Sequence, residues 1–128
     1  KRPDAIKPVM SGKELIKLQQ YTRDIHIEDE LIEKVSKLVR LSRPESSAVD
    51  EVKNYIDFGA GPRAGQSIIL AAKAHALMNG RLSVVPMDIK SVVYPAMRHR
   101  MILNFRAESE GINTDQVIKE LIDAAKIV

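Results

Sequence analysis

The segment Gly59-Ala60-Gly61-Pro62-Arg63-Ala64 joins a turn to a long alanine-rich run that ends near Met78. Proline is favoured at the first position of a helix, because the N–H that it lacks would have no partner there. The segment therefore predicts a helix whose first turn carries Arg63. The run Ala64–Met78 is nearly apolar around its circumference, which predicts a central helix that is buried on several sides.

Arg63 is the most informative single residue of this segment. A cation in the first turn lies at the positive end of the helix dipole, which is unfavourable unless something anionic is close. Phosphate suits this position, since helix N-termini and arginine side chains both bind it well. The alternative is a helix that begins at proline and whose arginine is solvated. A motif this short leaves both interpretations open.

The composition indicates one domain with an aliphatic core. The chain has 128 residues, few aromatic residues, no Trp and no Cys. Such a mix suits a helical bundle packed with Leu, Ile, Val, Ala and Met. The absence of cysteine excludes a disulfide scaffold and a thiolate metal site, and it is compatible with a reducing compartment.

Charge and hydropathy limit the partners and the location. The net charge of +3 is too small to call for nucleic acid. No apolar run approaches the ~20 residues of a membrane span, and no signal-peptide pattern opens the chain. We therefore expect a cytoplasmic protein. Because the first residue is Lys rather than Met, we expect the chain to be a fragment of a longer protein.

The first half of the chain predicts three helices after a lead-in at residues 1–10. Ser11 is placed to cap the first helix, with Glu14 as its capping-box partner. The second helix carries an amphipathic face and ends before Pro44, which disfavours helix in the residue ahead of it. This face consists of Leu31, Ile32, Val35, Leu38 and Val39. A loop at Arg43–Ser47 precedes a short helix within residues 48–57.

The second half predicts that the central helix stops at Asn79-Gly80 and that Ser83-Val84-Val85 is extended. Pro86 opens another helix, and Pro95 should break it, so that Ala96–Leu103 forms a separate short helix. Asn113 is placed to cap a last helix. The apolar stripe of that helix consists of Val117, Ile118, Leu121, Ile122 and Ala125. No strand pair is evident, and the predicted fold is all-α, a small bundle of about five or six helices.

The sequence lacks the motifs of an autonomous catalytic centre. It contains no GxxxxGK[ST] phosphate loop and no HExxH zinc motif. The histidines His26, His75 and His99 lack metal-type spacing, so no metal ligands and no catalytic residues are assigned. His75 lies on the apolar helix, where we expect it to be a hydrogen-bonded structural residue.

Arg98-His99-Arg100 is a second basic cluster with two interpretations. It could be the solvated end of a short helix, where positive charge complements the dipole. It could also contact phosphate or an acidic partner surface.

The whole set of motifs, from about Val9 to Val128, resembles the C-terminal lid domain of a MoxR-type AAA+ ATPase. The parts occur in the order of that family: Ser11-Gly12-Lys13-Glu14-Leu15 with Leu18-Gln19, Leu38-Val39-Arg40 with Ser42-Arg43-Pro44, Gly59-Ala60-Gly61-Pro62-Arg63-Ala64, Ala71-Ala72-Lys73-Ala74, Gly80-Arg81, Val84 to Asp88, and Arg98-His99-Arg100. The tail Leu103-Asn104-Phe105 with Ala107-Glu108 resembles a C-terminal extension of some members. No single motif is decisive, but the ordered set is fairly specific.

Two positions depart from the family pattern. Gly61 replaces the usual serine, so that any hydroxyl contribution to the turn is lost. Val85 stands where Thr or Ser often caps the next helix, which weakens that cap by roughly 1 kcal/mol if nothing substitutes. Neither departure removes Arg63.

The resemblance implies that Arg63 is the sensor-2 arginine, which reaches the γ-phosphate of ATP held by a preceding αβα core. Gly59, Gly61 and Pro62 would shape its turn. ATP and Mg would be bound through that absent core, so this chain alone would bind no cofactor tightly and would not be an enzyme, although its parent would be an ATPase. The resemblance further implies ring assembly with neighbouring subunits, hexameric in many members, and chaperone-like work with von Willebrand factor A-domain partners.

The resemblance also implies a division of the chain. Residues 1–10 would lead in from the core, residues 11–107 would form the lid, and residues 108–128 would be a C-terminal helical extension. The alternative function is a stand-alone helical module that binds nucleic acid or an acidic protein surface through Arg98, Arg100 and other surface cations.

Overall fold

The structure, a computed structural model, describes residues 4–128. The elements in this range, in chain order, are α1 (Gly12–Asp24), α2 (Asp29–Leu41), a 3-10 turn (Pro44–Ser46), α3 (Asp50–Tyr55), β1 (Ile56–Phe58), α4 (Pro62–Met78), α5 (Pro86–Met97), a 3-10 turn (Arg98–Arg100), β2 (Ile102–Leu103), α6 (Phe105–Glu110) and α7 (Thr114–Ala124). The predicted all-α class is confirmed. The division into lead-in, lid and extension remains a prediction.

Side-chain caps fix several helix starts where the sequence predicts them. The Ser11 hydroxyl accepts a hydrogen bond from the Glu14 N–H at 3.1 Å. At α7, Asn113 and Gln116 form a reciprocal capping box, with N···O distances of 2.8 and 2.9 Å. These bonds satisfy amides that have no partner within the helix.

One contiguous core joins most of the helices. α4 packs against α1, α2 and α5, and α7 packs against α2, α3 and α5. Fully buried large side chains come from every one of these elements except α1: Val35 and Leu38 of α2, Val52 of α3, Ile68 of α4, Ile89, Val93 and Met97 of α5, and Val117, Ile118 and Leu121 of α7. The last helix is thus part of the same core as the rest of the chain.

The central helix α4 is less enclosed than its composition suggests. Its buried residues recur every four positions and form one stripe, namely Ala64, Ile68, Ala72 and Ala76. Leu70 is 47% exposed and Met78 is 85% exposed. The prediction of burial on several sides therefore holds only in part: α4 contacts three helices and many of its other residues are half-buried, but a single stripe is fully buried. α1 covers α4 only loosely, since none of the α1 residues is itself buried.

The prediction that the chain has no strand pair was wrong, because the structure contains two short paired strands. β1 and β2 pair antiparallel, with Ile56 opposite Leu103 and Phe58 opposite Ile102. Strands of three and two residues are too short to show the alternation by which sequence patterns reveal sheets. A parallel bridge between His26 and Ser83 also links the α1–α2 and α4–α5 connections.

Pro95 does not break its helix. α5 continues to Met97, and the predicted separate helix over Ala96–Leu103 is absent, because a 3-10 turn and then β2 occupy that stretch. Pro95 and Ser91, the residue whose carbonyl loses its helical partner, are both exposed, so water can satisfy that carbonyl. Burial of Val93 and Met97 holds the last turn in place.

The sequence also did not predict α6, which is only six residues long. Its start is capped by the Asn104 side chain, which accepts a hydrogen bond from the Ala107 N–H at 2.9 Å. Gly111 ends it in the left-handed conformation, with φ of 70°. Within the part of the chain that the structure describes, no helix is both long enough and apolar enough to cross a membrane.

Candidate functional site

Arg63 lies in the first turn of α4, as predicted. Gly61 is the N-cap, Pro62 is the first helical residue, and the first turn contains no acidic residue. The Arg63 side chain is exposed. Among residues 4–128, no carboxylate forms an ion pair with it. The helix end and the arginine therefore present positive charge together, with no anion supplied by the described chain.

The backbone of the turn before Arg63 packs closely against the residues that follow α2. A Cβ atom on Gly59 would lie 2.3 Å from the carbonyl oxygen of Ser42, which is far inside van der Waals contact. Gly59 is therefore required by a close backbone approach. A Cβ on Gly61 would meet nothing within 4 Å, so this position tolerates a side chain such as the serine that the family pattern places there.

Ala60, between those two glycines, is held through both of its backbone polar groups. Its N–H donates to the Ser42 hydroxyl at 2.9 Å. Its carbonyl accepts a hydrogen bond from the Nε of Arg43 at 3.0 Å. The Ser42 hydroxyl itself donates to the carbonyl of Val39 at 2.6 Å, so this buried side chain is fully satisfied. The end of α2 thus fixes the turn from which α4 begins.

A groove of about 380 Å³ lies between α2 and α4, next to this turn. Its apolar lining is Ile32, Val35, Val39, Pro62 and Ile69, and its polar lining includes Ser36 and Gln66. The cations Arg40 and Arg43 also line it. An apolar groove with cations beside a helix N-terminus can receive a ligand that combines a flat apolar ring with negatively charged groups.

Sequence reasoning assigned Arg63, Gly59, Gly61 and Pro62 to the site, and the structure places all four in one turn. It did not assign a role to Ser42 or Arg43. They lie 18 and 17 residues from Ala60, which they hold. The only signal available was that a serine and an arginine end the second helix, and a sequence pattern cannot show which backbone groups such side chains reach.

The second basic cluster is not part of this site. Arg98 forms a bidentate pair with Asp115 of α7, at 2.7 and 2.9 Å, and its guanidinium lies over the Tyr94 ring. Arg100 donates to the carbonyl of Ala96 at 2.7 Å and to the hydroxyl of Ser67 at 3.2 Å. Both arginines thus have partners within the fold, so the alternative binding-module function would depend mainly on the other surface cations.

His75 is a structural residue, as predicted. Its Nδ1 lies 2.6 Å from Oδ1 of Asp88, a fully buried carboxylate. Arg81 donates to both Asp88 oxygens, at 2.5 and 2.7 Å, and the Val85 N–H donates to Oδ2 at 2.8 Å. Asp88 therefore stabilises the start of α5 by accepting the hydrogen bond from the Val85 N–H, because Val85 has no side chain that can cap the helix. Burial alone would raise the pKa of Asp88, but hydrogen bonds from Arg81, Val85 and His75 outweigh it and hold this pKa well below the usual value.

Known proteins resemble this chain over nearly its whole length. Chaperone MoxR1 of Mycobacterium tuberculosis is 32% identical over 126 residues, which are 98% of this chain and 33% of that protein. The uncharacterized protein YeaC of Bacillus subtilis is 27% identical over 124 residues, 97% of this chain and 36% of that protein. The chain thus spans about a third of the length of these curated relatives.

A solved structure and a family model agree with these relatives. A crystal structure of a candidate ATPase from Cytophaga hutchinsonii superposes with a TM-score of 0.85 at 33% identity, and the match covers 91% of this chain and 36% of that one. The model of the AAA lid domain family matches residues 50–121, more than half of the chain. The chain therefore belongs to the AAA lid domain family, as a lid of the MoxR type of AAA+ ATPase.

Proposed function

We propose that this lid senses bound nucleotide and that Arg63 is its sensor-2 residue, directed at the γ-phosphate of ATP held by an ATPase core. The observation that carries the proposal is the exposed Arg63 in the first turn of α4, with no carboxylate partner among residues 4–128. A phosphate would supply the missing negative charge at both the guanidinium and the helix end.

The groove between α2 and α4 supports the same proposal. Pro62 lines the groove and is also the residue before Arg63 at the start of α4. A ligand in the groove could therefore contact the groove wall and the Arg63 side chain at the same time. In this proposal the lid closes over ATP and relaxes after hydrolysis, which converts nucleotide state into rotation between domains. ATP and Mg are bound through the core, and this chain alone neither hydrolyses ATP nor binds it tightly.

We further propose the assembly and role that the family relationship suggests. The lid works in a ring of subunits, hexameric as in many AAA+ proteins, in the cytoplasm. Chaperone MoxR1, which matches almost the whole chain, is named as a chaperone, and on that basis we propose remodelling of client proteins. Partners with von Willebrand factor A-domains belong to the same proposal.

The test is ATP hydrolysis by the full-length protein that carries this lid. We expect Arg63→Ala to lower kcat by on the order of 100-fold, because it removes a charged donor at a phosphate whose charge rearranges in the transition state. Arg63→Lys should restore only part of the rate, since lysine lacks the planar fork. Arg106→Ala is the matched control, because this arginine pairs with Glu110 on α6. Wild-type turnover in a folded Arg63→Ala protein would refute the assigned role.

A further inference from the structure

We propose that Ser42 and Arg43 are positioning residues that aim Arg63 by holding the backbone of Ala60. The inference rests on the proposed function of Arg63 and goes beyond it, because it assigns part of the nucleotide response to the end of α2. Neither side chain needs to contact ATP for this role. We call Ser42, Arg43 and Ala60 the turn clamp.

The turn clamp uses both hydrogen-bonding groups of one peptide residue. The Ser42 hydroxyl accepts from the Ala60 N–H at 2.9 Å, and the Arg43 Nε donates to the Ala60 carbonyl at 3.0 Å. Since the donor and acceptor of Ala60 point in different directions, the two bonds together restrict rotation of this segment. Ala60 itself is buried, so water cannot easily replace either partner.

Packing adds a third restraint at the neighbouring residue. The backbone of Gly59 lies so close to Ser42 that a Cβ would be 2.3 Å from the Ser42 carbonyl oxygen and 2.7 Å from the Arg43 nitrogen. The turn therefore cannot shift toward α2, and the clamp bonds oppose a shift away from it. Only Gly61 separates this restrained segment from Pro62, whose ring fixes its own φ.

The consequence is that α2 and the first turn of α4 should move as one unit when the lid rotates. The direction of the Arg63 side chain is set by the start of α4, and the start of α4 is set by the clamp. A displacement of about 1 Å at a catalytic group can lower a rate by on the order of 100-fold. Loosening the clamp at Ser42, which is fully buried, should therefore reduce turnover without removing any group that contacts the nucleotide.

The experiment is a double-mutant cycle on ATP hydrolysis by the full-length protein. Ser42→Ala is the principal variant, because Ser42 is fully buried and cannot contact a ligand directly. We expect it to lower kcat by about 10-fold with little change in the KM for ATP, since the positioning error acts on the transition state. In an Arg63→Ala background, the same substitution should cause no further loss, because the residue being aimed is gone.

Arg43→Met is the second variant, in case Ser42→Ala does not fold. Methionine has a similar apolar stem and no donor for the Ala60 carbonyl. Because Arg43 also lines the groove between α2 and α4, the effect of this variant counts as a loss of positioning only if the KM for ATP is unchanged and the effect disappears in the Arg63→Ala background. Ser46→Ala is the matched control, because its exposed hydroxyl donates to the carbonyl of Arg40 and does not touch the turn. The melting temperature of each variant shows whether a fall in turnover comes from a misplaced Arg63 in a folded lid or from unfolding of the lid.

The outcomes distinguish this inference from the proposed function. If Arg63→Ala leaves turnover unchanged, the sensor-2 proposal and the turn clamp both fail. If Arg63→Ala lowers turnover but the clamp variants lower it by the same factor with and without Arg63, the clamp is merely structural and only this inference is overturned. Clamp variants that match Ser46→Ala in a wild-type background would also overturn it.

Discussion

The imidazole of His75 and the carboxylate of Asp88 lie 2.6 Å apart, which joins the last turns of α4 to the first turn of α5. Arg81, in the connection between these helices, donates two hydrogen bonds to the same carboxylate. One buried acid thus links α4 and α5, the two helices with the most extensive mutual contact among the described residues. The stability of the lid should depend on it.

Replacing this acid should destabilise the domain. Asp88→Asn leaves the side chain nearly the same size but removes the charge that Arg81 and His75 face. Hydrogen bonds to charged groups contribute about 1.5–3 kcal/mol each, so we expect a loss of about 2 kcal/mol in the free energy of unfolding. Urea denaturation measures it.

Asp115→Asn is the control for that measurement, because it also breaks an arginine–carboxylate pair. Arg98 and Asp115 are about half exposed, and water and salt screen such pairs. We expect a clearly smaller effect than for Asp88→Asn. Equal losses in the free energy of unfolding would show that the buried Asp88 hydrogen bonds stabilise the domain no more than an exposed ion pair does.

The same carboxylate predicts how stability depends on pH. The pKa of Asp88 is held well below its ordinary value of 3.8, although burial alone would raise it. Between these two values the unfolded state binds the proton and the folded state does not. The Asp88 contribution is therefore fully present above about pH 5 and is lost as pH falls through the acid range. Unfolding measured from pH 2 to 6 should have a shallower slope in Asp88→Asn, and an unchanged slope would contradict this assignment.

The two glycines around Ala60 should differ in their tolerance of a side chain. Gly59→Ala forces a Cβ into the backbone of Ser42, and overpacking of this kind costs ~1–3 kcal/mol. Gly61→Ala is the matched control and should be neutral, because the space there is open and its φ of −91° suits any residue. Gly61→Ser should add a few tenths of a kcal/mol by capping α4. Thermal unfolding of the three variants checks the order.

Ala72 should be among the residues least tolerant of enlargement. It is fully buried in the single stripe of α4 that faces the core, where small side chains allow helices to approach closely. Ala72→Leu should lower stability by ~1–3 kcal/mol. Ala48→Leu, at an exposed position before α3, is the control and should leave the melting temperature almost unchanged. Equal melting temperatures for the two variants would show that α4 is not the central helix.

The sequence determined those features whose causes are local. Ser11, Asn113 and Pro62 set helix starts through their own hydrogen bonds or ring geometry. The amphipathic periods of α2 and α7 identified their buried faces, except that Ile32 of the predicted α2 face is exposed. The same local chemistry placed Arg63 at a helix N-terminus without an acidic neighbour.

The tertiary structure decided what depends on distant partners. The β1–β2 pair and the hydrogen bonds from Ser42 and Arg43 to Ala60 join residues that are far apart along the chain. Arg98 and Arg100 look alike as surface cations in the sequence, but Asp115 and Ser67 engage them in the fold. Periodicity and capping report on a residue and its near neighbours, whereas the partner of a polar side chain is known only once packing brings two segments together.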